Sequence, residues 1–329
     1  MKTLSINAAL LFLLVCAMFA SLLIGSAPLS PVAAIGALFG DGDPRRVWVV
    51  QEIRLPRVLL GVMVGASLGM AGAAAQGLLR NPLADPGIIG ISTGAGLGAV
   101  VALYFGFAAF SAFAVPALAI ASSMVAALVL VWLAGKDASV LSLVLAGVAV
   151  SSIAAALISL AINLSPNPIS LSDIVFWLLG SLANRSMADI ALVAPFMAAG
   201  WILLLTTRRS LSALSLGEDV AGSLGVNLRG VRLKTVFGAA LAVGAGVAVS
   251  GIIGFVGLVA PHLMRPLVGY EPSRLVVPSA LAGAALLVVA DSLVRILPGD
   301  TELKIGVVTS LLGAPFFLWL VIHTRRSML

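Results

Sequence analysis

Long apolar runs, separated by short polar or glycine- and proline-containing breaks, recur along the whole 329-residue chain. A helix that crosses the hydrocarbon core of a bilayer needs about 20 predominantly apolar residues. Ten runs are predicted spans, and the eighth of them is short. They lie at roughly 6–27, 56–79, 87–107, 111–134, 140–162, 188–206, 235–256, 257–268, 275–296 and 305–323. The pattern predicts an all-α polytopic membrane protein with about ten transmembrane helices in one domain, 1–329.

Two further apolar stretches are too short to cross a bilayer. Residues 31–39 are predicted to cap the outer surface. Residues 169–182 carry Asp173 and follow the proline-rich segment Ser165-Pro166-Asn167-Pro168. They are predicted to form an outer interfacial helix rather than a span.

The composition supports a membrane protein over a soluble enzyme or a disordered chain. Hydrophobic residues make up 61% of the sequence, charged residues make up 10%, and the mean hydropathy is +1.17. Soluble domains are about a quarter charged, and disorder requires low hydrophobicity. The first apolar run resembles a signal peptide in part, but its length favours a retained first span.

The formal net charge of +6 is explained by topology rather than by nucleic-acid binding. Most Lys and Arg residues fall in the segments that are cytoplasmic when the N-terminus is inside, as the positive-inside rule requires. We therefore predict a multi-pass protein of a bacterial inner membrane, with both termini in the cytoplasm.

Glycines recur at four-residue spacing in two predicted spans, at Gly61, Gly65 and Gly69 and again from Gly90 to Gly98. This spacing places them on one helix face, where neighbouring backbones can approach closely. Close packing is the first interpretation, and a sliding surface for a conformational cycle is the alternative.

Candidate chemistry is sparse. The chain has one cysteine and two histidines, without the spaced partners of a metal site, and it has no P-loop sequence to hold ATP phosphates. Asp291 and Arg295, four residues apart, could form an ion pair on one helix face or belong to a docking or substrate site. An ion- or proton-coupled secondary transporter or an intramembrane enzyme would need more ionisable residues within the spans. Both remain alternative hypotheses.

Four segments occur in an order that resembles one family. They are Arg54-Leu55-Pro56-Arg57 continuing to Arg80-Asn81-Pro82-Leu83-Ala84-Asp85-Pro86, then Trp177-Leu178-Leu179-Gly180-Ser181-Leu182, then Gly254-Phe255-Val256-Gly257-Leu258-Val259-Ala260-Pro261-His262, and finally Glu302-Leu303-Lys304-Ile305-Gly306 with Gly313-Ala314-Pro315-Phe316-Phe317. Together they resemble the FecCD/BtuC-like permeases, which are the transmembrane subunits of type II ABC importers for iron-siderophores, haem or cobalamin.

The resemblance implies a homodimer that encloses a translocation pathway in the lipid bilayer. It also implies two separate ATPase subunits on the cytoplasmic side, a soluble substrate-binding protein on the outer side, and no nucleic-acid partner. ATP and Mg would bind to the ATPase subunits. This chain would bind no cofactor or metal and have no catalytic residue.

The resemblance also implies roles for individual residues. Arg54, Arg57 and Arg295 match outer arginines that receive acidic residues of the binding protein, since a guanidinium can hold a carboxylate bidentately. Interfacial anchoring is the alternative. The cytoplasmic segment 208–234 matches the coupling helix that sits in a groove of the ATPase, or else it is a plain connecting helix. The matched coupling residues are Leu216, Gly217, Glu218, Asp219, Ala221, Leu224 and Gly225.

Two further matches concern the pathway itself. Regions that form the family's cytoplasmic gate correspond here to Asn81, Pro82, Leu83, Ser139, Val140, Leu141 and Ser142. Met63 and Met70, seven residues apart, either line the pathway or pack against lipid or core.

Overall fold

The computed structural model describes residues 2–25, 29–135, 139–297 and 302–327, and within these ranges the regular structure is entirely helical. The α-helices are α1 Lys2–Leu23, α2 Pro31–Leu38, α3 Pro44–Trp48, α4 Leu55–Leu78, α5 Ile91–Tyr104, α6 Phe107–Phe110, α7 Ala114–Ala134, α8 Val140–Asn163, α9 Pro168–Leu178, α10 Met187–Leu214, α11 Glu218–Ser223, α12 Leu228–Ser250, α13 Val256–Met264, α14 Pro272–Ile296 and α15 Ile305–Ser327. A π-helix, Val49–Arg54, joins α3 to α4, and a 3-10 helix, Pro86–Ile89, precedes α5.

Each of the ten predicted spans corresponds to a helix. Seven helices of the described chain are long and apolar enough to cross a membrane, and the helices α5, α13 and α15 account for the three remaining runs. The two stretches predicted to lie at the surface form α2 and α9, which have 8 and 11 residues and are too short to span. The predicted fold class is therefore confirmed.

Several helix ends differ from the predicted bounds. Helix α10, the sixth predicted span, continues to Leu214, about two turns beyond residue 206. Helix α12, the seventh predicted span, begins at Leu228 rather than at residue 235. Predicted segment 208–234 is thus mostly the ends of two long helices, with α11 between them. Helix α9 ends at Leu178, short of 182, and Gly180 follows at φ +73, a left-handed conformation that glycine adopts without strain.

Three helices form the core of the molecule. In the most apolar window of α4, of α12 and of α14, between 72% and 78% of residues are buried, compared with 17% in α1. In helices α7, α8 and α10 only 33% of the residues in the corresponding apolar stretch are buried. This distribution fits a bundle whose outer helices face lipid or another membrane-embedded chain, because neither surrounding penalises apolar exposure as water does.

The glycine face of α4 allows its close contacts. A Cβ placed at Gly65 or Gly69 would collide with the backbone of α14 at Gly283 or Ser279, and one at Gly72 would collide with the carbonyl of Gly257 in α13. The interpretation of these glycines as a packing surface is confirmed.

The bundle has two ends. The N-terminus of α4 and the C-terminus of α14 meet at one end, which holds Arg54, Arg57 and Arg295 and is called the arginine end. Helix α11 and the two long helix ends that flank it lie at the opposite end, called the connector end. The charge distribution predicts that the arginine end is outer and the connector end cytoplasmic.

Candidate functional site

The arginine end contains a buried cluster of charged groups centred on Arg57. Its Nε lies 3.0 and 2.9 Å from the two carboxylate oxygens of Asp291, and Nη2 lies 2.8 Å from Asp291 Oδ1. The same guanidinium donates to Glu302, through Nη1 to Oε2 at 3.3 Å and through Nη2 to Oε1. Arg57 thus links α4 to α14 and to Glu302, which lies three residues before α15.

Arg295 and Arg54 extend this cluster to the first helix. Arg295 pairs with Asp291 at 3.3 Å across one helical turn and donates to the carbonyls of Ser21 and Ile24, each at 3.0 Å. Arg54 Nη1 donates to the carbonyl of Leu22 at 2.7 Å. Buried charges need such partners, because an unpaired buried charge is strongly destabilising. The ion pair predicted from the spacing of Asp291 and Arg295 is therefore present.

The three arginines are not presented as open docking groups in this structure. Arg54 is 5% exposed and Arg57 8% exposed, and the Arg295 side chain is also buried. In this conformation their guanidinium groups already bind groups of the same chain. Their docking to a binding protein stays a prediction, and it requires an exchange of partners at Arg57 or Arg295.

At the connector end, α11 is fixed to the long helices on either side. Arg232 of α12 pairs with Glu218 at 2.8 Å, and Val226 N–H donates to the Ala221 carbonyl at 3.0 Å. Asn227 then caps α12 by accepting from Gly230 N–H at 2.8 Å. Three features therefore hold the short helix in place: its ion pair with Arg232, the chain reversal after it in which Gly225 has φ +79, and the Asn227 cap of the helix that follows.

Three exposed apolar side chains lie in or beside α11: Val220 within the helix, Leu216 two residues before it and Leu224 directly after it. Leu216 is 64% exposed, Val220 44% and Leu224 63%, while polar Asp219 is exposed beside them. Ala221, which the sequence placed among the coupling residues, is instead fully buried in the core of the chain. Val220 was not among the matched coupling residues, and because the same segment holds several other apolar residues, only the fold shows that it is exposed. Nothing lies within 4 Å of a Cβ built at Gly217 or Gly225.

The first predicted gate region is a loop after α4, and the described part of the second, residues 139–142, is the N-cap and first turn of α8. Leu83 N–H donates to Asn81 Oδ1 at 2.9 Å, and Asn81 N–H donates to the carbonyl of Gln76, so that Pro82 sits in a fixed loop after α4. Ser139 caps α8 by accepting from Ser142 N–H at 3.1 Å. Between them, Val140 is half-buried and Leu141 exposed. Residues 136–138, which belong to the second predicted turn, lie outside the described residues. Gating by either turn stays a prediction.

Met63 and Met70 occupy different environments. Met70 is 7% exposed and lies in the core cluster of the chain, so its side chain packs within one chain and does not line a space between two. Of the two environments expected for Met70, core packing is the one found in this conformation. Met63 is partly buried against the same core.

A polar contact that the sequence analysis did not assign lies between α4 and α13. Arg265 Nη2 donates to Gln76 Oε1 at 2.6 Å, just beyond the C-terminus of α13. Gln76 in turn donates to the Leu258 carbonyl at 3.5 Å. Gln76 lies between Arg57 and Arg80, and Arg265 follows His262, so each is in or next to a segment that resembles the family. Only the fold shows that the two side chains are in contact. Across the described ranges, no group of three or more His, Cys, Asp or Glu side chains is arranged to hold a metal.

Comparison with known proteins identifies the relatives of this chain. The model of the FecCD transport family matches residues 13–323. The chain is 41% identical to the vitamin B12 import system permease protein BtuC of Vibrio cholerae, over 96% of this chain and 93% of that protein. It is 38% identical to the hemin transport system permease protein HmuU of Yersinia pestis, over 85% and 84%. A solved inward-facing structure of a metal-chelate type ABC transporter superposes with a TM-score of 0.86 at 35% identity, covering 97% of this chain and 99% of that one.

Proposed function

The chain belongs to the FecCD transport family, and we propose that it is the permease subunit of an ATP-driven importer that carries a metal chelate across the bacterial inner membrane. Its relatives are permeases of import systems for hemin, for vitamin B12 and for ferric dicitrate. All three cargoes are metal complexes of organic ligands, which supports a metal chelate as the substrate class.

In this proposal two copies of the chain enclose the pathway, and two separate ATPase subunits bind at the cytoplasmic side. A soluble binding protein delivers the chelate at the arginine end, and both termini lie in the cytoplasm. ATP and Mg bind to the ATPase subunits, so this chain contributes a passage and a mechanical connection rather than covalent chemistry.

The observation that carries the proposal is the exposed apolar patch in and beside α11, formed by Leu216, Val220 and Leu224. The other exposed apolar side chains of the long helices can face lipid, but α11 lies beyond the predicted spans, among Glu218, Asp219 and Arg232, where the surrounding is aqueous. Exposed apolar surface costs about 25 cal/mol per Å² in water, and such a patch at a polar end marks a protein-binding surface. Leu216, Val220 and Leu224 therefore form a docking face for the ATPase.

The braces around α11 suit it to transmit a movement. Glu218 and its partner Arg232 tie it to α12, and α10 and α12 pack on each other where Gly200 lies against Gly238 and Ala242. At the far end of α12, the Ser250 carbonyl accepts from Ser181 N–H at 2.7 Å. A displacement of α11 would thus be carried along a rigid helix pair to the loop after α9 at the arginine end.

We predict that Leu224→Asp abolishes association with the ATPase subunits. A carboxylate in the docking face would have to be desolvated against an apolar groove, which lowers affinity by tenfold or more. The measurement is co-purification of the ATPase with the permease in detergent, together with ATP-driven uptake in proteoliposomes.

The matched control is Val32→Asp, which places the same charge at an exposed apolar position of α2, away from the connector end. It should leave the amount of co-purified ATPase unchanged. Full ATPase recovery with Leu224→Asp, in a variant whose thermal stability is also unchanged, would exclude α11 as the docking element.

A further inference from the structure

A cavity of about 320 Å³ opens near the arginine end, beside the loop after α9. Its walls come from α5, α9, that loop, the end of α12 and the segment before α15. Phe176 and Trp177 form an aromatic side of the cavity, Arg185 and Lys304 supply positive charge, and Asp173 is the acidic residue of the lining. Lys304 stands two residues after Glu302, so the cavity adjoins the Arg57 cluster.

The two cations of this cavity differ from the arginines of the neighbouring cluster because no carboxylate of the described residues lies within ion-pair distance of them, although the charge of Asp189 acts on Arg185. In the described residues neither Arg185 nor Lys304 takes part in an ion pair, and Arg185 Nε is buried without a hydrogen bond. Lys304 Nζ lies 5.5 Å from the centre of the Phe176 ring. Burial lowers the pKa of Arg185, but a guanidinium remains charged at neutral pH. Asp173 is exposed to solvent, so the lining keeps a net positive charge.

The backbone next to the cavity is held in place by close contacts between three glycines and their neighbours. Gly180 and Gly251 both have positive φ, and their backbones lie so close that a Cβ on Gly251 would meet the Trp177 carbonyl. Gly306 packs against Leu179 and Ile252 in the same place. A side chain at any of these three glycine positions would collide with backbone. Together with the Ser181–Ser250 hydrogen bond, the contacts fix the positions of α9, α12 and α15 relative to one another.

We propose that this cavity is a subsite for a carboxylate-bearing arm of the transported chelate, which makes the substrate an anionic complex rather than a neutral one. The proposal rests on the proposed import function and narrows its substrate class. A guanidinium and an ammonium beside one cavity supply charge-assisted hydrogen bonds to a carboxylate, and the aromatic rings give an apolar surface for an organic ligand. The volume suits one arm of a chelate, with the remainder of the molecule in the pathway.

The test measures binding of three radiolabelled chelates by equilibrium dialysis, using the permease–ATPase complex in phosphatidylcholine nanodiscs without the binding protein. Ferric citrate and haem are the anionic probes, and cyanocobalamin is the neutral probe. We expect an anionic chelate to bind more tightly than cyanocobalamin. Arg185→Gln and Lys304→Gln should each weaken anionic binding about tenfold and leave neutral binding unchanged.

Arg45→Gln is the control, because it removes one positive charge from an exposed position near the same end without touching the cavity. A preference for cyanocobalamin, no measurable binding of either anionic probe, or equal binding by the wild type and both cavity variants would overturn the subsite. Loss of anionic binding when phosphatidylglycerol replaces phosphatidylcholine would assign the cavity to a lipid headgroup instead.

Two outcomes separate this inference from the proposed function. If the variants keep wild-type chelate binding but lose the binding protein in pull-down, the two cations receive protein carboxylates and the subsite proposal is wrong while import stands. If the wild-type permease forms no complex with an ATPase, the proposed function itself fails.

Discussion

Replacing Asp291 with Ala is expected to lower the free energy of unfolding by about 3–5 kcal/mol, because it leaves two buried arginines without their shared carboxylate. Asp291 accepts from Arg57 at 2.8 to 3.0 Å and pairs with Arg295 at 3.3 Å. Glu302 cannot fully compensate, since among the described residues its ion pair is with Arg57 and its side chain is partly exposed. The variant should show a lower thermal midpoint in detergent and a reduced yield of monodisperse protein.

The control for this prediction is Asp41→Ala, which removes an exposed carboxylate and should change the midpoint little. A second variant separates charge from packing. If uncompensated positive charge causes the loss, adding Arg295→Met to Asp291→Ala should restore part of the stability. An Asp291→Ala protein as stable as the wild type would contradict the description of the cluster as a buried ionic junction.

The same cluster affects how docking experiments are interpreted. Arg295→Glu would place a second carboxylate beside Asp291 and also remove the bonds to Ser21 and Ile24. A weaker interaction with a binding protein would then reflect internal disruption as well as lost docking, so stability must be measured on the same variant.

Gly69→Ala is expected to be among the most damaging single-methyl changes in the bundle, costing about 3 kcal/mol or more. The added Cβ would collide with the Ser279 carbonyl, and neither backbone can move without separating α4 from α14. Because these two helices form much of the core, the expected result is loss of folded protein on size-exclusion chromatography and a large fall in thermal midpoint.

Gly61→Ala is the matched control, since it lies two turns away on the same face of α4. There the nearest atoms are the ends of the Leu182 and Val288 side chains, at 3.4 Å, which can rotate aside. Gly61→Ala should change stability by no more than about 1 kcal/mol. Equal effects of the two substitutions would mean that α4 and α14 are not in backbone contact at Gly69.

Local patterns in the sequence were sufficient for the helices and for contacts within one helix. Apolar runs predicted each span, the four-residue glycine spacing predicted the packing face of α4, and the Asp291–Arg295 spacing predicted their ion pair. These features depend on the repeat of a single helix, which the sequence displays directly.

Contacts between distant segments could not be predicted in this way. Arg57 and Glu302 are 245 residues apart, and nothing local indicates that Glu302 faces inward. The family resemblance placed Arg57 at an outer surface. It could not show that the Arg57 guanidinium already forms ion pairs with carboxylates of the same chain. For the same reason the sequence left two environments open for Met70 and could not show that Ala221 is buried, since burial depends on which neighbours the fold brings to a residue.

The central claim is that nucleotide turnover in a separate ATPase, acting through α11, moves a metal chelate through this chain. The most direct measurement is uptake of a radiolabelled metal chelate into proteoliposomes that contain the permease, its ATPase and its binding protein. The account predicts uptake that requires ATP hydrolysis and stops when the ATPase is omitted or a non-hydrolysable nucleotide is supplied. Uptake by the permease alone, driven by a proton or sodium gradient, would contradict it.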